Sequence, residues 1–283
     1  PYWNHIAYWN GSDIYFTDEA GTPLYYWVES FDLDKKIATI WVKVPSIPAN
    51  GTVSIHMHYG AENPYTDYRN STKAFLLFDD FEGVSLDTSK WEITGSPSSI
   101  DISESILYIE TSSFGGIVSR INFTLPIAVE GLWKPNSGEN WIGLTHVNGG
   151  TNDDFLRVGY ASGAFYYEKR VSGSITTYES VSRFPNQYVR FKWIVTMDKS
   201  IYYEDNVQIN TVTTQDRYTT ETLYLQLFSG AGGGTMYFDW VGVRKGTYPE
   251  PTYTFGIEIG GAGILLRGFD KLLNKLNYEP LKI

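Results

Sequence analysis

The sequence predicts an all-β protein: two β-sandwich units, the second a jelly roll, followed by a short C-terminal amphipathic helix. Three observations carry that expectation. Aromatic residues make up 16% of the chain, led by 22 Tyr, and 27 Gly accompany them, a composition suited to strands and tight turns. Short segments alternate apolar with polar residues and are separated by Gly, Pro, Asn and Asp. Helical periodicity is absent until the last twenty residues or so.

Taken in order, residues 11–30 read as two strands around a turn at Ala20-Gly21-Thr22-Pro23. Residues 37–44 form a third strand, and 45–51 a turn rich in Pro and Gly. Residues 52–59 return, with Val53, Ile55, Met57 and Tyr59 on one face and Ser54, His56 and His58 on the other. Residues 63–72 are polar and turn-rich, a linker candidate. A second unit begins at 75–82. Strands follow at 106–110, 116–121, 127–133, 141–147, 155–160, 165–171, 188–197, 223–228 and 235–244. In one of them Val189, Phe191, Trp193 and Val195 alternate with Arg190 and Lys192. Residues 252–259 form a last strand, broken by Gly260-Gly261-Ala262-Gly263. Beyond it Leu265, Phe269, Leu272, Leu273 and Leu276 recur at helical spacing, with Lys271 and Lys275 opposite. The expected domains are 1–72, 73–250 and a tail at 251–283.

A net charge of -10 argues against a nucleic-acid partner, which requires a basic footprint. With no Cys in the chain, disulfides, thiolate catalysis and thiolate-bound zinc are excluded. No apolar run reaches the ~20 residues of a membrane span. Four acceptor sequons, at Asn10, Asn50, Asn70 and Asn122, point to an extracellular or cell-surface protein.

The stretches "GSDIYFTDEAGTPLYYWVES", "ATIWVKVPSIPANGTVSIHMHYG" and "FLLFDDFEG", in that order, resemble the domain of unknown function 2341 of archaeal and bacterial surface proteins, over about residues 11–83. Members of that family normally carry further strands ahead of the first motif. The resemblance therefore implies that the 11–30 hairpin is covered by something else: the C-terminal strand, another subunit, or chain outside this sequence. Residues 75–245 are similar to concanavalin A-like, laminin G-like jelly rolls, through "FDDFEG…LDTSKWE" at the start and "MYFDWVGVRK" at the end. By that likeness Asp239 is the foremost ligand for a structural calcium, with Asp80 and Glu82 as further candidates; hard oxygen donors suit Ca²⁺.

The chemistry legible in the sequence is sparse. Glycosidases of the laminarinase type set their carboxylates on one strand as Glu-x-Asp-x-Glu or a variant with one more residue, and no Glu here is followed two residues later by Asp. No Gly-x-Ser-x-Gly elbow is present. His56 and His58 share a strand face as a possible metal pair, outweighed by two solvated side chains. Sugar binding would rest on aromatic platforms with nearby polar groups: Trp141, Tyr160, Tyr166, Asn152, Asp153 and Arg157. The sequence alone thus leads to a non-enzyme, an extracellular surface protein with adhesive or glycan-binding faces. Its expected partners are carbohydrate, a cell-surface polymer or copies of itself. A self-assembling subunit of a filament, sheath or virion, built by strand addition, is the alternative, and a glycoside hydrolase a distant third.

Overall fold

In the computed structural model, residues 3–146, 155–171, 174–181, 186–213, 222–258, 263–269 and 279–282 are described. The chain forms two compact units: residues 77–243, and residues 1–76 together with 244–283.

The first unit opens with β1 (Tyr15–Asp18), β2 (Tyr26–Asp32), β3 (Ile37–Val42) and β4 (Thr52–His58), then a short helix α1 (Ser71–Ala74). The jelly-roll unit follows with β5 (Leu77–Asp79), β6 (Trp91–Gly95), β7 (Ser99–Ser103), β8 (Ile106–Thr111), β9 (Gly115–Phe123) and β10 (Ile127–Thr145). It continues with β11 (Phe155–Ala161), β12 (Ala164–Val171), β13 (Ser174–Val181), β14 (Val189–Val195), β15 (Lys199–Glu204), β16 (Val207–Thr213) and β17 (Leu223–Lys245). The chain then returns to the first unit with β18 (Thr252–Glu258), β19 (Gly263–Phe269) and β20 (Glu279–Lys282).

Two small sheets make the first unit: β1-β4-β19-β18 and β2-β3-β20. Between them lies a core of Ile14, Phe16, Tyr26, Ile40, Val42, Ile55, Met57 and Tyr59. Residues 11–30 do not pair as one two-stranded hairpin: β1 pairs with β4 and β2 with β3, and the C-terminal segment adds to those partners, β20 to β3 and β19 antiparallel to β4 with His58 opposite Gly263 and Thr52 opposite Phe269. The helical spacing over 265–276 is overridden here. Gly263–Phe269 is a strand, because pairing on both edges satisfies its backbone groups, whereas one short helix would leave most of them unmet. Leu272, Leu273 and Leu276 lie outside the described residues. Residues 63–72 do not form a free linker either: Asn63 is buried and donates to Tyr26 Oη at 3.1 Å and to the Ile14 carbonyl at 3.2 Å.

The jelly-roll unit has two layers joined by two very long strands. The first half of β17 pairs with β9, its second half with β8 and β5. Likewise β10 pairs with β14 through residues 127–133 and with β11 through 140–145. Each long strand therefore starts in one layer and ends in the other, and the two run side by side. The sequence pattern breaks both in two, at Gly138 and Gly230–Gly234. In the structure they bend there and continue.

The bend is built from side chains as well as glycines. Asn140, fully buried, accepts from the Asn136 N–H at 3.0 Å and donates to the Ser137 carbonyl at 2.8 Å. Asn136 Nδ2 donates to Thr235 Oγ1 at 2.8 Å, and Ser229 Oγ to the Glu139 carbonyl at 2.5 Å, fastening β10 to β17. Gly138 has φ +70°, and a Cβ placed on it would lie 2.0 Å from the Gly233 carbonyl oxygen.

Between the layers, Trp133 is the central ring. It packs on Tyr160, Phe191 and Phe238 with centroid separations of 6.1, 6.0 and 5.6 Å. A carboxylate lies in this core: Glu204, 1% exposed, accepts from Tyr160 Oη at 2.6 Å and Tyr202 Oη at 3.2 Å. Burial, reinforced by the Glu204 charge, pushes the Tyr202 hydroxyl well above its ordinary range.

Gly163 serves as the control for Gly138: its φ is +83°, but no atom lies within 4 Å of its would-be Cβ. Gly163→Ala should cost only the left-handed conformation, about 1–3 kcal/mol. Gly138→Ala should cost clearly more, because the backbone of β17 must also move. Thermal melts of the two variants measure the difference.

Candidate functional site

Alternation along four neighbouring strands sets the site. Ile142, Leu144, Leu156, Val158 and Tyr160 fill the core, each essentially buried. The intervening residues face the other way. Register aligns them in rows: Trp141, Gly159 and Tyr166; Gly143, Arg157 and Glu168; Thr145, Phe155 and Arg170. On the other side of β10, Gln226, Phe228 and Gly230 of β17 complete the face. Gly143, Arg157, Thr145, Phe155 and Arg170 of these rows, with the three β17 residues and Phe114, Glu139 and Ile175, line a cleft of about 220 Å³, while Trp141, Tyr166 and Glu168 stand outside its lining.

Arg157 is the centre of this face. Its guanidinium carbon lies 4.2 Å from the Trp141 ring centroid, 4.7 Å from that of Phe155 and 5.8 Å from that of Phe228. Arg157 Nε donates to Glu168 Oε2 at 2.7 Å, and its Nη2 closes a second, shorter contact with the same oxygen. Thr177 Oγ1 donates to Glu168 Oε1 at 3.1 Å. An arginine stacked on rings and paired along its edge is held rigidly.

Glu139 stands apart. Among the described residues its carboxylate has neither a hydrogen-bond nor an ion-pair partner. It occupies the space left by Gly230: Glu139 Oε2 and Trp141 Nε1 lie 1.9 and 3.0 Å from the point a Cβ of residue 230 would take. Trp141 Nε1 is buried and has no acceptor among the described residues, and the same holds for Gln226 Nε2.

Three of the residues named from the sequence therefore meet here: Trp141, Tyr166 and Arg157, the two rings 6.5 Å apart. Tyr160 instead points into the core, where it serves Glu204. Asn152 and Asp153 lie outside the described residues. Sequence reasoning missed Glu139, Glu168, Gln226 and Phe228. The alternation of Tyr166, Glu168 and Arg170 against Phe165 and Tyr167 is the signal that could have found one of them.

The metal candidates do not gather. Asp239 sits half-buried on β17, near enough to Tyr188 to help raise its hydroxyl pKa after burial has done so. Asp80 and Glu82 are neighbours, but the nearby Asp79 is committed to Trp91 Nε1 at 2.6 Å, the Phe81 N–H at 3.1 Å and Lys90 at 3.2 Å. Among the described residues no three His, Asp or Glu side chains converge to hold a metal ion. His58 stacks on Tyr15 at 4.4 Å and shares a hydrogen bond of 3.0 Å with Thr17. Of the sequons, Asn10, Asn50 and Asn122 are exposed, while Asn70 caps α1 by accepting from the Lys73 N–H. No helix among the described residues is long and apolar enough to cross a membrane.

Residues 10–94 match the domain of unknown function 2341. Over 69 residues the chain is 36% identical to the uncharacterized protein 562 of Sulfolobus islandicus rod-shaped virus 1, a match covering 23% of this chain and 12% of that one. The chain thus spans about an eighth of that relative. Among solved structures, one reported with endo-acting O-glycanases of human gut microbiota that initiate mucin breakdown superposes with a TM-score of 0.51 at 14% identity, covering 61% of this chain and all of that one. The endo-beta-1,3-glucanase of Pyrococcus furiosus gives 0.49 at 16% identity, covering 60% of this chain and 93% of that one.

This likeness corrects the sequence reading. A non-catalytic, adhesive surface protein was expected, whereas the structure that superposes at 0.51 is one reported with endo-acting O-glycanases. The expectation rested on a search for two carboxylates along one strand. This face draws Glu139 and Glu168 from two different strands, which no linear motif records. At such identities the likeness establishes the fold, a β-sandwich jelly roll.

Two outcomes follow for Tyr160 and Asp80. Tyr160→Phe should destabilise the protein by about 1–3 kcal/mol, the range for a buried hydrogen bond to a charged group, and leave sugar binding unchanged; denaturant melts and binding titrations check both. Burial, aided by Asp79 and Glu82, raises the Asp80 carboxyl pKa. A raised acid pKa means the folded state holds the proton more tightly, so stability falls as pH rises through that range. Asp80→Asn should therefore raise Tm at pH 7, with the gain vanishing near pH 3.

Proposed function

We propose that the jelly-roll unit is a glycoside hydrolase domain and that the cleft beside Arg157 is its site. The observation that carries the reading is the pairing of roles on one face: an unengaged carboxylate, Glu139, and a second, Glu168, immobilised by Arg157. The half-buried ring of Phe155 beside them offers an apolar surface on which a sugar ring stacks. In this reading Glu139 protonates the departing glycosidic oxygen, and Glu168 activates the attacking water.

Exposed sequons at Asn10, Asn50 and Asn122 support an extracellular setting.

The test is release of new reducing ends from a panel of polysaccharides and mucin O-glycans. Glu139→Gln should lower kcat/KM by about 10²–10⁴-fold, the usual contribution of a general acid. No release from any glycan, or an unimpaired Glu139→Gln variant, would overturn the proposal.

A further inference from the structure

Much of the cleft wall is apolar: Phe114, Phe155, Ile175 and Phe228 all line it. Its two arginines are engaged within the protein, Arg157 with Glu168 and Arg170 with contacts of its own. Gln226 is different. Its side chain lines the cleft, is 4% exposed, and its Nε2 finds no acceptor among the described residues. A buried amide donor left in this way has lost its hydration and gained no bond. In the wall of a cleft it calls for an acceptor brought by a ligand.

Strand register locates this donor. Gly138 meets Gly233 and Gly143 meets the Phe228 ring, so β10 and β17 run antiparallel and Thr145 comes opposite Gln226. Phe155, Arg170 and Ile175 continue the same row across the next three strands. Phe228 is two residues from Gln226 on the same face of β17, ~7 Å along the strand. The ring of Phe155 is half-buried and Ile175 is 54% exposed. The row thus leads from an apolar mouth to a single buried donor. Glu139 lies against Gly230 and Gly232, at least four residues from Gln226 and therefore roughly 14 Å or more along β17. The two groups are too far apart to serve the same substituent of a sugar ring.

These surroundings select the kind of acceptor. A carboxylate or sulfate would bring a charge to a wall whose arginines are already engaged, and an unmatched charge is costly there. A hydroxyl accepts but also carries a proton to donate, and the apolar neighbours offer it no acceptor. An acetyl group has neither defect: its carbonyl only accepts, and its methyl gains from apolar contact. We infer that the cleft takes an acetylated sugar residue, the acetyl carbonyl accepting from Gln226 Nε2 and the acetyl methyl lying against Phe155 and Phe228. N-acetyl and O-acetyl groups share this chemistry. The inference rests on the reading of this face as a glycan site and names its substrate class.

The experiment is isothermal titration of the full chain with two matched pairs of ligands. Chitotetraose against cellotetraose tests the N-acetyl group, and O-acetylated against unacetylated xylotetraose tests the O-acetyl group. At least one acetylated ligand should bind about tenfold or more tightly than its counterpart, and the pair that shows the difference identifies the linkage. In saturation-transfer NMR the acetyl methyl should be the most strongly saturated group of that ligand. Gln226→Leu, verified as folded by its melt, removes the donor and keeps the bulk, so it should erase the preference and leave the unacetylated affinity unchanged. If that variant fails to fold, the wild-type pairs and the NMR decide the matter. No preference in either pair, a methyl saturated no more than the ring protons, or a preference that survives Gln226→Leu would overturn the inference. Its failure is separable from that of the proposed activity. An acetylated ligand bound and never cleaved leaves this inference standing and removes hydrolysis; cleavage of an unacetylated glycan with no preference for acetyl groups does the reverse.

Discussion

Everything in the jelly-roll unit depends on two strands that each belong to both layers. Where β10 and β17 change layer, their backbones come so close that a side chain at residue 138 would meet the carbonyl of residue 233. That contact holds the two layers in register with each other. The registers of β9 and β11 on one side, and of β8 and β14 on the other, are all referred to it. The cleft inherits the arrangement. Glu139 and Gly230 are the first residues past the bend on their strands, so the free carboxylate and the gap it occupies are products of the crossing.

The first unit solves a different problem, since its strands come from both ends of the described chain. Asp13 anchors the beginning: fully buried, its Oδ2 accepts from the Ala7 and Gly60 N–H groups, both at 2.8 Å. The Tyr26 hydroxyl donates to the Ile14 carbonyl at 2.6 Å. These polar contacts fix β1 and the segment after β4 around the core, while β19 and β20 close the two sheets from outside. A small core gains from such specific buried bonds because apolar area alone stabilises a unit of this size only modestly.

The all-β class and most strands were legible because alternation is a local signal. Val189, Phe191, Trp193 and Val195 are buried as their pattern says. What was illegible depended on distance along the chain. Glycines at 138 and 230–234 look like strand ends, and only the partner strand shows that they are bends. Gly263–Phe269 carries apolar residues at helical spacing, and the open edge of β4 decides otherwise. For the site, Trp141, Tyr166 and Arg157 could be named from residue type. Glu139 and Gln226 could not, since what marks them is the lack of a partner, and a partner is a property of the fold. Tyr160 was misplaced for the complementary reason: its hydroxyl meets Glu204, forty-four residues away.

The pairing of β4 with β19 has a consequence for the order in which the protein is made. Thr52 cannot meet Phe269 until the whole segment between them has left the ribosome, whereas residues 77–243 hold the described strands of their own unit. Domains fold as units during synthesis, so the inserted jelly roll forms while the first unit still waits for its last strands. Its own ends are already joined, Leu77 lying opposite Val243. Closing the first unit then means bridging a short connection rather than a very long one, a saving in loop entropy of about 1–1.5 kcal/mol. The enclosed unit thereby acts as the splint on which the enclosing one is completed.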